Sequence, residues 1–218
     1  AILLPEEIAC ASSSLRVQIN MQAIGCAFTI YRYGTDETKK KYVKKLVSAE
    51  YMGGFAITEP NAGSDVMALK STASDEGDHW LLNGAKTWIS NSTIADVLIY
   101  YAFTDREARG KGLSAFVIEP KNFNGITTTE LDKMGSRSSP TGEIVLEDTM
   151  VPKENILGKP ILPHDLRRTF AQLAYKNGAD LRQVQIALGH SSIRTTEVYL
   201  GLDQDFTNAP GDYIQIEL

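Results

Sequence analysis

The sequence of 218 residues has little cysteine, no excess of positive charge and no long apolar run. Its formal net charge of −5 gives no overall basic surface for a nucleic acid or an anionic membrane. Because no apolar stretch reaches about 20 residues, we predict no membrane-spanning helix and no membrane partner. The first residues lack an initiator methionine, a basic segment and a signal-peptide cleavage site, so we expect a segment from within a longer chain.

The two cysteines, Cys10 and Cys26, both fall in a segment that is apolar and predicted to be helical. This placement predicts two buried free thiols rather than a disulfide bond. Reduced thiols are typical of a reducing compartment, which favours the cytoplasm. We predict no metal site in the chain.

Two helical regions are predicted before the first strand. Residues 5–31 carry apolar side chains near helical spacing, with small residues between them. Gly34 ends this region, and Thr35 is suited to cap a second helix. Acidic residues come first in that helix and lysines come later, which suits the helix dipole. We interpret the lysines at 39–45 as a solvated helix face, with phosphate binding as the alternative.

Residues 52–158 are predicted to form many short strands. Asn83-Gly84 separates the apolar runs 80–82 and 85–89 and predicts a type I′ hairpin turn. Further strands are predicted at 97–103, 113–119 and 144–146. The pattern indicates a compact β-barrel or sandwich, and the chain as a whole is predicted to be α+β.

The stretch Phe55-Ala-Ile-Thr-Glu-Pro-Asn-Ala-Gly-Ser-Asp65 predicts a short strand that runs into a polar loop. Pro60 and Gly63 end the strand. Free backbone N–H groups and hydroxyls in such a loop suit a flat polar cofactor or a phosphate. An ordinary strand and turn is the alternative interpretation.

Three segments together resemble the acyl-CoA dehydrogenase flavoprotein family. They are residues 55–65, Asn83-Gly-Ala-Lys-Thr-Trp-Ile-Ser-Asn91, and the segment at 134–158 that begins Met134-Gly-Ser-Arg-Ser-Ser-Pro. They occur in the order and at the spacing of the family, and the resemblance covers roughly residues 5–159. It implies a partial N-terminal helical domain at 1–50 and an all-β middle domain at 51–159.

The resemblance implies FAD as the cofactor. The backbone at Phe55 and Ile57 and the Thr58 hydroxyl would meet the pyrimidine edge of the flavin ring. Trp88 would pack against the isoalloxazine, and Ser90 would hydrogen-bond near its reactive nitrogen. A flavin site needs such an apolar face and a few fixed donors. Taken singly, Trp88 also fits a core tryptophan and Ser90 a turn residue.

The resemblance also implies a substrate. Arg16 falls where the glutaryl-CoA dehydrogenase branch carries an arginine that pairs with the distal carboxylate, and a guanidinium suits that task. That branch often has a serine four residues on, where this chain has Asn20. Ser64 would reach the cofactor pyrophosphate or the acyl-CoA. Arg137 and Ser138 match a family segment that is structural or near CoA. The implied partners are a glutaryl-CoA-like thioester and, in the ancestor, further copies in a homo-oligomer.

The acyl-CoA dehydrogenase resemblance stops after Pro160. The family would continue with a four-helix domain, whose glutamate removes the α-proton of the thioester while hydride leaves the β-carbon for the flavin. No glutamate of this sequence lies in that base motif, and the first helices of the N-terminal domain have no counterpart. We therefore expect a partial dehydrogenase that does not turn over.

Residues 161–218 instead resemble the C-terminal end of a phage integrase, a tyrosine recombinase. The motifs are Leu162-Pro-His164-Asp-Leu-Arg167, Ala187-Leu-Gly-His190 and Thr195-Thr-Glu-Val-Tyr199. The resemblance implies that Tyr199 attacks a DNA phosphodiester, that Arg167 neutralises the transition state, and that His164 and His190 donate protons. Each of these residues also fits an ordinary helix surface.

The integrase-like set is incomplete, because the family's first catalytic arginine, its lysine and its DNA-binding domain have no counterpart. The acidic tail after Leu200 predicts weak DNA binding. We expect three short helices here, at about 164–177, from an N-cap at Asp180, and around Tyr199, then a strand at 213–216. The alternatives to a dehydrogenase module are a DNA recombination protein and a non-catalytic chimera.

Overall fold

The computed structural model describes residues 3–158, 171, 174–176, 178–188 and 192–200. The chain divides into two compact units, residues 1–161 and 162–218, and each unit is described by itself. None of the helices in these described ranges has the length and apolar character that a membrane span requires.

The first unit begins with consecutive helices. They are α1 (Leu3–Ala11), α2 (Ser13–Asn20), a π-helical segment (Met21–Phe28), α3 (Thr29–Tyr33) and α4 (Asp36–Val47). The helical prediction for residues 5–31 is confirmed. Ser12 separates α1 from α2 and caps the second, since its hydroxyl accepts a hydrogen bond from Leu15 N at 3.2 Å.

The start of α4 follows the predicted capping. Thr35 Oγ1 accepts a hydrogen bond from Thr38 N at 3.2 Å, and Gly34 ends α3. Lys40 and Lys44 are exposed, which confirms the solvated lysine face. Lys41 is the lysine that ties this face to the sheet, because its Nζ lies 2.7 Å from Glu119 Oε1.

Seven strands form one sheet in the first unit. They are β1 (Gly53–Ala56), β2 (Thr72–Asp75), β3 (His79–Ser90), β4 (Val97–Phe103), β5 (Leu113–Ile118), β6 (Ile126–Glu130) and β7 (Thr141–Pro152). The order across the sheet is β1-β4-β2-β3-β7-β6, and β5 also pairs with β4. β1 and β2 run parallel to β4, and the other pairs are antiparallel. The curled sheet behind N-terminal helices confirms the predicted α+β class.

The core of the unit lies around β4. All seven of its residues are buried, and the run Val97-Leu-Ile-Tyr-Tyr-Ala-Phe103 suits a strand that is covered on both faces. Leu98 and Tyr100 pack in a cluster with Phe116 and Ile144. The predicted strands at 97–103 and 113–119 are confirmed, whereas the strand predicted at 144–146 is part of the much longer β7.

The predicted hairpin at Asn83-Gly84 is wrong. β3 runs straight through these residues and pairs with β7 on both sides of them, with a register shift between Leu82 and Gly84. Gly84 has φ +146°, and a Cβ there would overlap Ser71. Asn83 pairs across the sheet with Asp148, donating to its Oδ1 at 2.9 Å and accepting from its backbone N at 2.8 Å. Between Leu82 and Gly84 the strand β3 advances two residues while β7 covers three, from Thr149 to Leu146, so the β-bulge lies in β7 opposite Asn83 and the Asn-Gly pair continues β3 instead of turning.

The cysteine prediction is half right. Cys26 is a buried free thiol, and burial raises its pKa to about 12. Cys10 is also free, but it is exposed. Although α1 contacts α2, Ile8 alone among its residues 6–11 is half-buried, and the other five are exposed.

The described part of the second unit contains α5 (Leu181–Leu188) and α6 (Ile193–Leu200). Asp180 caps α5 as predicted, since its Oδ1 accepts from Arg182 N at 2.8 Å. Val184 and Leu188 pack with Ala171 and Leu200 in a small core. The helix predicted at 164–177 is described only at 171 and 174–176, and the strand predicted at 213–216 lies outside the described residues.

Candidate functional site

The structure places the two predicted flavin-contacting segments side by side. Thr87 N donates a hydrogen bond to Thr58 O at 2.9 Å. At the other end of the contact, Asn91 Nδ2 donates to Gly53 O at 2.9 Å. Residues 53–58 therefore run alongside residues 87–91, and the two motifs share one edge of the unit.

Trp88 occupies an irregular position in this edge. A register shift interrupts β3 between Lys86 and Ile89, and Trp88 has φ +58°. This left-handed backbone costs an ordinary residue about 1–2 kcal/mol. Its indole is 61% exposed, so Trp88 is no core tryptophan. The bulge interrupts the regular alternation of side chains between the two faces of the sheet, and it leaves the large flat side chain of Trp88 exposed.

The half-buried residues around Trp88 offer both apolar and polar contacts. Phe55 lies with its ring centroid 5.1 Å from that of Tyr101. Thr58 and Ser90 are half-buried hydroxyl residues on the two facing segments, and Ile57, which precedes Thr58, is also half-buried. This mixture suits a planar ligand with one polar edge.

Gly54 allows the two segments to approach. A Cβ at this position would lie 3.0 Å from Ser90 O and would overlap the Leu98 side chain. A larger residue here would push β1 away from the end of β3 and from β4.

Ser64 lies farther along the loop that follows β1. The loop is closed by a pair of backbone hydrogen bonds between Glu59 and Ala62, of 2.9 and 3.1 Å. Ser64 comes just after this closure and is exposed. Asp65 then caps the short 3₁₀ turn Val66–Ala68. Ser64 is thus available to a ligand from the same loop as Thr58.

The predicted substrate residues share a helix that touches the third motif. Arg16 and Asn20 are half-buried residues of α2. From the same helix, Gln18 Nε2 donates to Ser138 O at 3.3 Å, and Ser13 Oγ lies 3.2 Å from Ser136 Oγ. The helix of the predicted carboxylate-binding arginine is therefore docked on the loop at 133–140.

Lys133 and Arg137 organise that loop. Lys133 Nζ donates to Ser139 O at 2.5 Å, to Thr141 Oγ1 at 2.8 Å and to Ser136 O at 3.0 Å. Arg137 is exposed, and its Nε donates back to Lys133 O at 2.8 Å. Asn91 N donates to Pro140 O at 2.7 Å, so the loop also joins the Trp88 segment. All three motifs of the sequence thus meet through backbone contacts.

A buried ion pair lies directly behind this edge, and sequence reasoning missed it. Lys86 Nζ lies 2.8 Å from Glu59 Oε1, with Lys86 fully buried and Glu59 nearly so. Burial lowers the pKa of Lys86 to about 8 against the opposing effect of Glu59. Burial alone would raise the pKa of Glu59, but hydrogen bonds from Lys86, Ser71 and Lys70 lower it. The sequence could have predicted this burial, because side chains alternate along a strand and Lys86, four residues after the apolar Leu82, falls on the same face of β3.

The integrase-like residues belong to the second unit. Tyr199 lies in α6, while His164, Arg167 and His190 lie outside the described residues. In the described part of the chain, no group of three or more His, Cys, Asp or Glu residues is placed to hold a metal ion.

Comparison with known families matches three parts of the chain. Residues 1–50 match the acyl-CoA dehydrogenase N-terminal domain, and residues 54–149 match the acyl-CoA dehydrogenase middle domain. Residues 146–205 match the phage integrase family. Both resemblances predicted from the sequence are confirmed, although the integrase match begins earlier than predicted, within β7.

Individual proteins support the same assignment. Glutaryl-CoA dehydrogenase of Desulfococcus multivorans is 67% identical over 160 residues, which is 73% of this chain and 41% of that protein. Isovaleryl-CoA dehydrogenase of Pongo abelii is 40% identical over 191 residues, or 86% of this chain and 43% of that protein. The chain thus spans less than half the length of these two relatives.

A solved structure shows the same architecture. The glutaryl-coenzyme A dehydrogenase glutaryl-CoA complex aligns with a TM-score of 0.75 at 59% identity, over 84% of this chain and 48% of that one. The first unit of the chain therefore belongs to the acyl-CoA dehydrogenase family, as its N-terminal and middle domains.

Proposed function

We propose that the first unit is a binding module of the acyl-CoA dehydrogenase type that takes FAD as cofactor and a glutaryl-CoA-like thioester as ligand. The observation that carries this proposal is the edge at 53–58 and 87–91, where Trp88 is held out of the core beside Thr58 and Ser90. A neighbouring structure, an acyl-CoA dehydrogenase from Bacillus anthracis complexed with FAD, supports the choice of cofactor.

The residues present fit a flavin. The exposed indole of Trp88 offers an apolar face, and the half-buried segment at Phe55, Ile57 and Thr58 offers backbone groups and a hydroxyl to a polar ring edge. Ser90 offers a donor on the facing segment. When bound, the flavin would accept a hydride from the β-carbon of the thioester.

Ser64 and α2 complete the proposed site. The exposed hydroxyl of Ser64 would donate to the cofactor pyrophosphate or to the CoA. Arg16 would pair with the distal carboxylate of the thioester, with Asn20 one helical turn further along α2. The docking of α2 on the loop at 133–140 fixes the helix that carries both residues. The 67% identity to a glutaryl-CoA dehydrogenase supports this choice of acyl group.

We propose further that these 218 residues bind without turning over. The dehydrogenation needs a base at the α-carbon, and no glutamate of the sequence lies in the family's base motif. Reduction of an electron acceptor by the purified chain with glutaryl-CoA would contradict this part of the proposal. The homo-oligomer and the cytoplasmic location stay predictions. Light scattering of the purified chain would measure its oligomeric state.

The test of the binding function is an absorbance spectrum after incubation with FAD and desalting. We expect a retained flavin band with the shape of a protein-bound ring, and we expect Trp88→Ala to lose it. Arg16→Ala should weaken glutaryl-CoA binding about tenfold or more while leaving butyryl-CoA binding unchanged, because only glutaryl-CoA carries the distal charge. Equal losses for both thioesters would remove Arg16 from the carboxylate role.

A second candidate function is covalent DNA cleavage by the second unit, which the integrase match at 146–205 supports. The Tyr199 hydroxyl would displace one DNA strand from the phosphodiester and form a phosphotyrosine, with Arg167, His164 and His190 around the phosphate. Incubation with a labelled DNA duplex and denaturing electrophoresis would show a protein–DNA adduct that Tyr199→Phe lacks. The acidic tail predicts weak binding, so this candidate ranks second.

A further inference from the structure

We propose that Glu59 and Lys86 are positioning residues that hold the two flavin-facing segments, 55–58 and 88–90, against each other. This inference rests on the proposed flavin site. Neither residue of the ion pair would touch the cofactor, and both would act through the segments that do. Its basis is the place of the pair in the chain and the set of hydrogen bonds around it.

The pair sits at the junction of the two segments. Glu59 follows Thr58 directly, and Lys86 precedes Thr87 directly. The backbone hydrogen bond from Thr87 N to Thr58 O, of 2.9 Å, therefore lies immediately beside the ion pair of 2.8 Å. Trp88 comes next in the chain and has the left-handed φ of +58°. A change in the separation of Glu59 and Lys86 would therefore displace the backbone of Trp88, which lies only two residues after Lys86.

The carboxylate of Glu59 gathers four donors from two further places in the fold. Its Oε1 accepts from Ser71 Oγ at 2.5 Å and from Ser71 N at 2.9 Å, besides Lys86 Nζ. Its Oε2 accepts from Lys70 N at 2.5 Å. Ser71 Oγ in turn lies 3.1 Å from the hydroxyl of Tyr100 in β4. The loop after β1 is therefore tied to β3, to the start of β2 and to β4 at one point.

The burial of this pair indicates that geometry matters here more than attraction. Lys86 is 0% exposed and Glu59 is 6% exposed. The Lys86 Nζ lies 4.9 Å from the centroid of the Tyr100 ring. Apolar side chains of similar volume often serve stability equally well at such a site. They would not accept the N–H groups of Lys70 and Ser71, and they would not set a directional link between Glu59 and Lys86.

The experiment reads the position of Trp88 with and without flavin. The chain has two tryptophans, so Trp80→Phe leaves Trp88 as the single tryptophan, which is excited at a wavelength where tyrosine does not absorb. In this background we compare Glu59→Gln with Glu119→Gln. Glu119 is the matched control, because its buried carboxylate accepts from Lys41, Tyr42 and Asn122 and joins α4 to β5 away from Trp88.

Two quantities are measured on folded protein with an unchanged far-UV spectrum. The first is the fluorescence anisotropy of Trp88 without FAD, which falls when the indole moves more freely. The second is the dissociation constant for FAD. We expect Glu59→Gln to lower the anisotropy and to raise the dissociation constant about tenfold, since a looser site loses preorganisation. Glu119→Gln should leave both at the values of the background protein.

A milder variant covers the case in which Glu59→Gln does not fold. Ser71→Ala removes one hydroxyl donor and should shift both quantities in the same direction by a smaller amount. Unchanged Trp88 anisotropy in both folded variants overturns the inference, whether or not the chain binds FAD. Lowered anisotropy in a chain that binds no FAD supports the positioning of Trp88 and contradicts the proposed flavin function instead.

Discussion

Strand β4 and the segment at 86–91 belong to the same sheet but obey different rules. In β4, seven consecutive residues are buried and apolar, and the register with β5 is regular from end to end. In the segment at 86–91, a lysine is fully buried, a tryptophan is exposed, and Trp88 and Asn91 both have positive φ. The first region satisfies every local preference of a strand, whereas the second violates several within six residues.

The difference separates the regular core of the unit from the irregular edge that carries the proposed site. Local violations persist only when the surroundings enforce them, and they concentrate at functional sites. In this segment the enforcing contacts are hydrogen bonds. Lys86 donates to Glu59, Asn91 donates to Gly53 O and Pro140 O, and Thr87 N donates to Thr58 O. The regular strand supplies the core on which this irregular edge is built.

The largest expected effect comes from leaving Lys86 without its partner. Glu59→Ala leaves the buried amine of Lys86 and the buried N–H groups of Lys70 and Ser71 without their acceptor, so we expect a loss of about 3–5 kcal/mol in the free energy of unfolding. Glu119→Ala should cost clearly less, because its partner Lys41 is 59% exposed and can turn to water. Urea denaturation measures both variants. Equal losses would mean that the irregular edge is no more constrained than the surface of α4.

Gly84 tests the close packing of β3 against Ser71 at the position where the sequence predicts a hairpin turn. Gly84→Ala should cost about 2–3 kcal/mol, because the new Cβ meets Ser71 and the residue has φ +146°. The control is Gly77→Ala, which has φ +93° but nothing within 4 Å of the new Cβ. It should cost about 1 kcal/mol by backbone strain alone. Thermal unfolding of both variants measures the difference, which we assign to the contact with Ser71.

The pH dependence of stability distinguishes Lys86 from an ordinary lysine. Its pKa is about 8 in the folded chain, against an ordinary value of 10.5. Between these two values the unfolded state binds more protons, so this group makes stability rise with pH in that window. We expect a gain of about 1 kcal/mol between pH 8 and 9 relative to Lys86→Met. Parallel stability curves for the two proteins in this range would refute the lowered pKa.

The smallest expected change in stability is also the most diagnostic. Trp88→Gly relieves the left-handed backbone and removes a mostly exposed side chain, so the free energy of unfolding should rise by about 0.5 kcal/mol. Leu98→Ala in β4 should instead lose about 2–5 kcal/mol as a core truncation. Calorimetry measures both. A large loss from Trp88→Gly would mean that the indole serves the core after all.

Regular features of the fold were predictable because local chemistry decides them. The buried strand at 97–103 follows from its apolar run, and the caps at Thr35 and Asp180 follow from side chains that bond to their own helices. The prediction of a turn at Asn83-Gly84 failed because a dipeptide that tolerates positive φ can also lie within a continuous strand, here opposite a bulge in β7. Only the partner strand β7 decides between them.

The candidate site was predictable in its residue types but not in its support. The motif around Trp88 pointed to a ligand, yet the same letters did not reveal that Lys86 is buried. Charged residues are normally placed at the surface, and the partner Glu59 lies 27 residues away. The exposure of Cys10 was missed for a related reason, since it depends on which faces of α1 find a neighbour.

The absorbance spectrum of the purified chain, after incubation with FAD and desalting, tests the central claim most directly. The account predicts a retained flavin band in the wild-type chain and in Glu119→Gln, and its loss in Trp88→Gly, a variant expected to be at least as stable. A wild-type chain that is folded but retains no flavin, or a Trp88→Gly variant that retains it fully, would contradict the claim that this irregular edge is a flavin site.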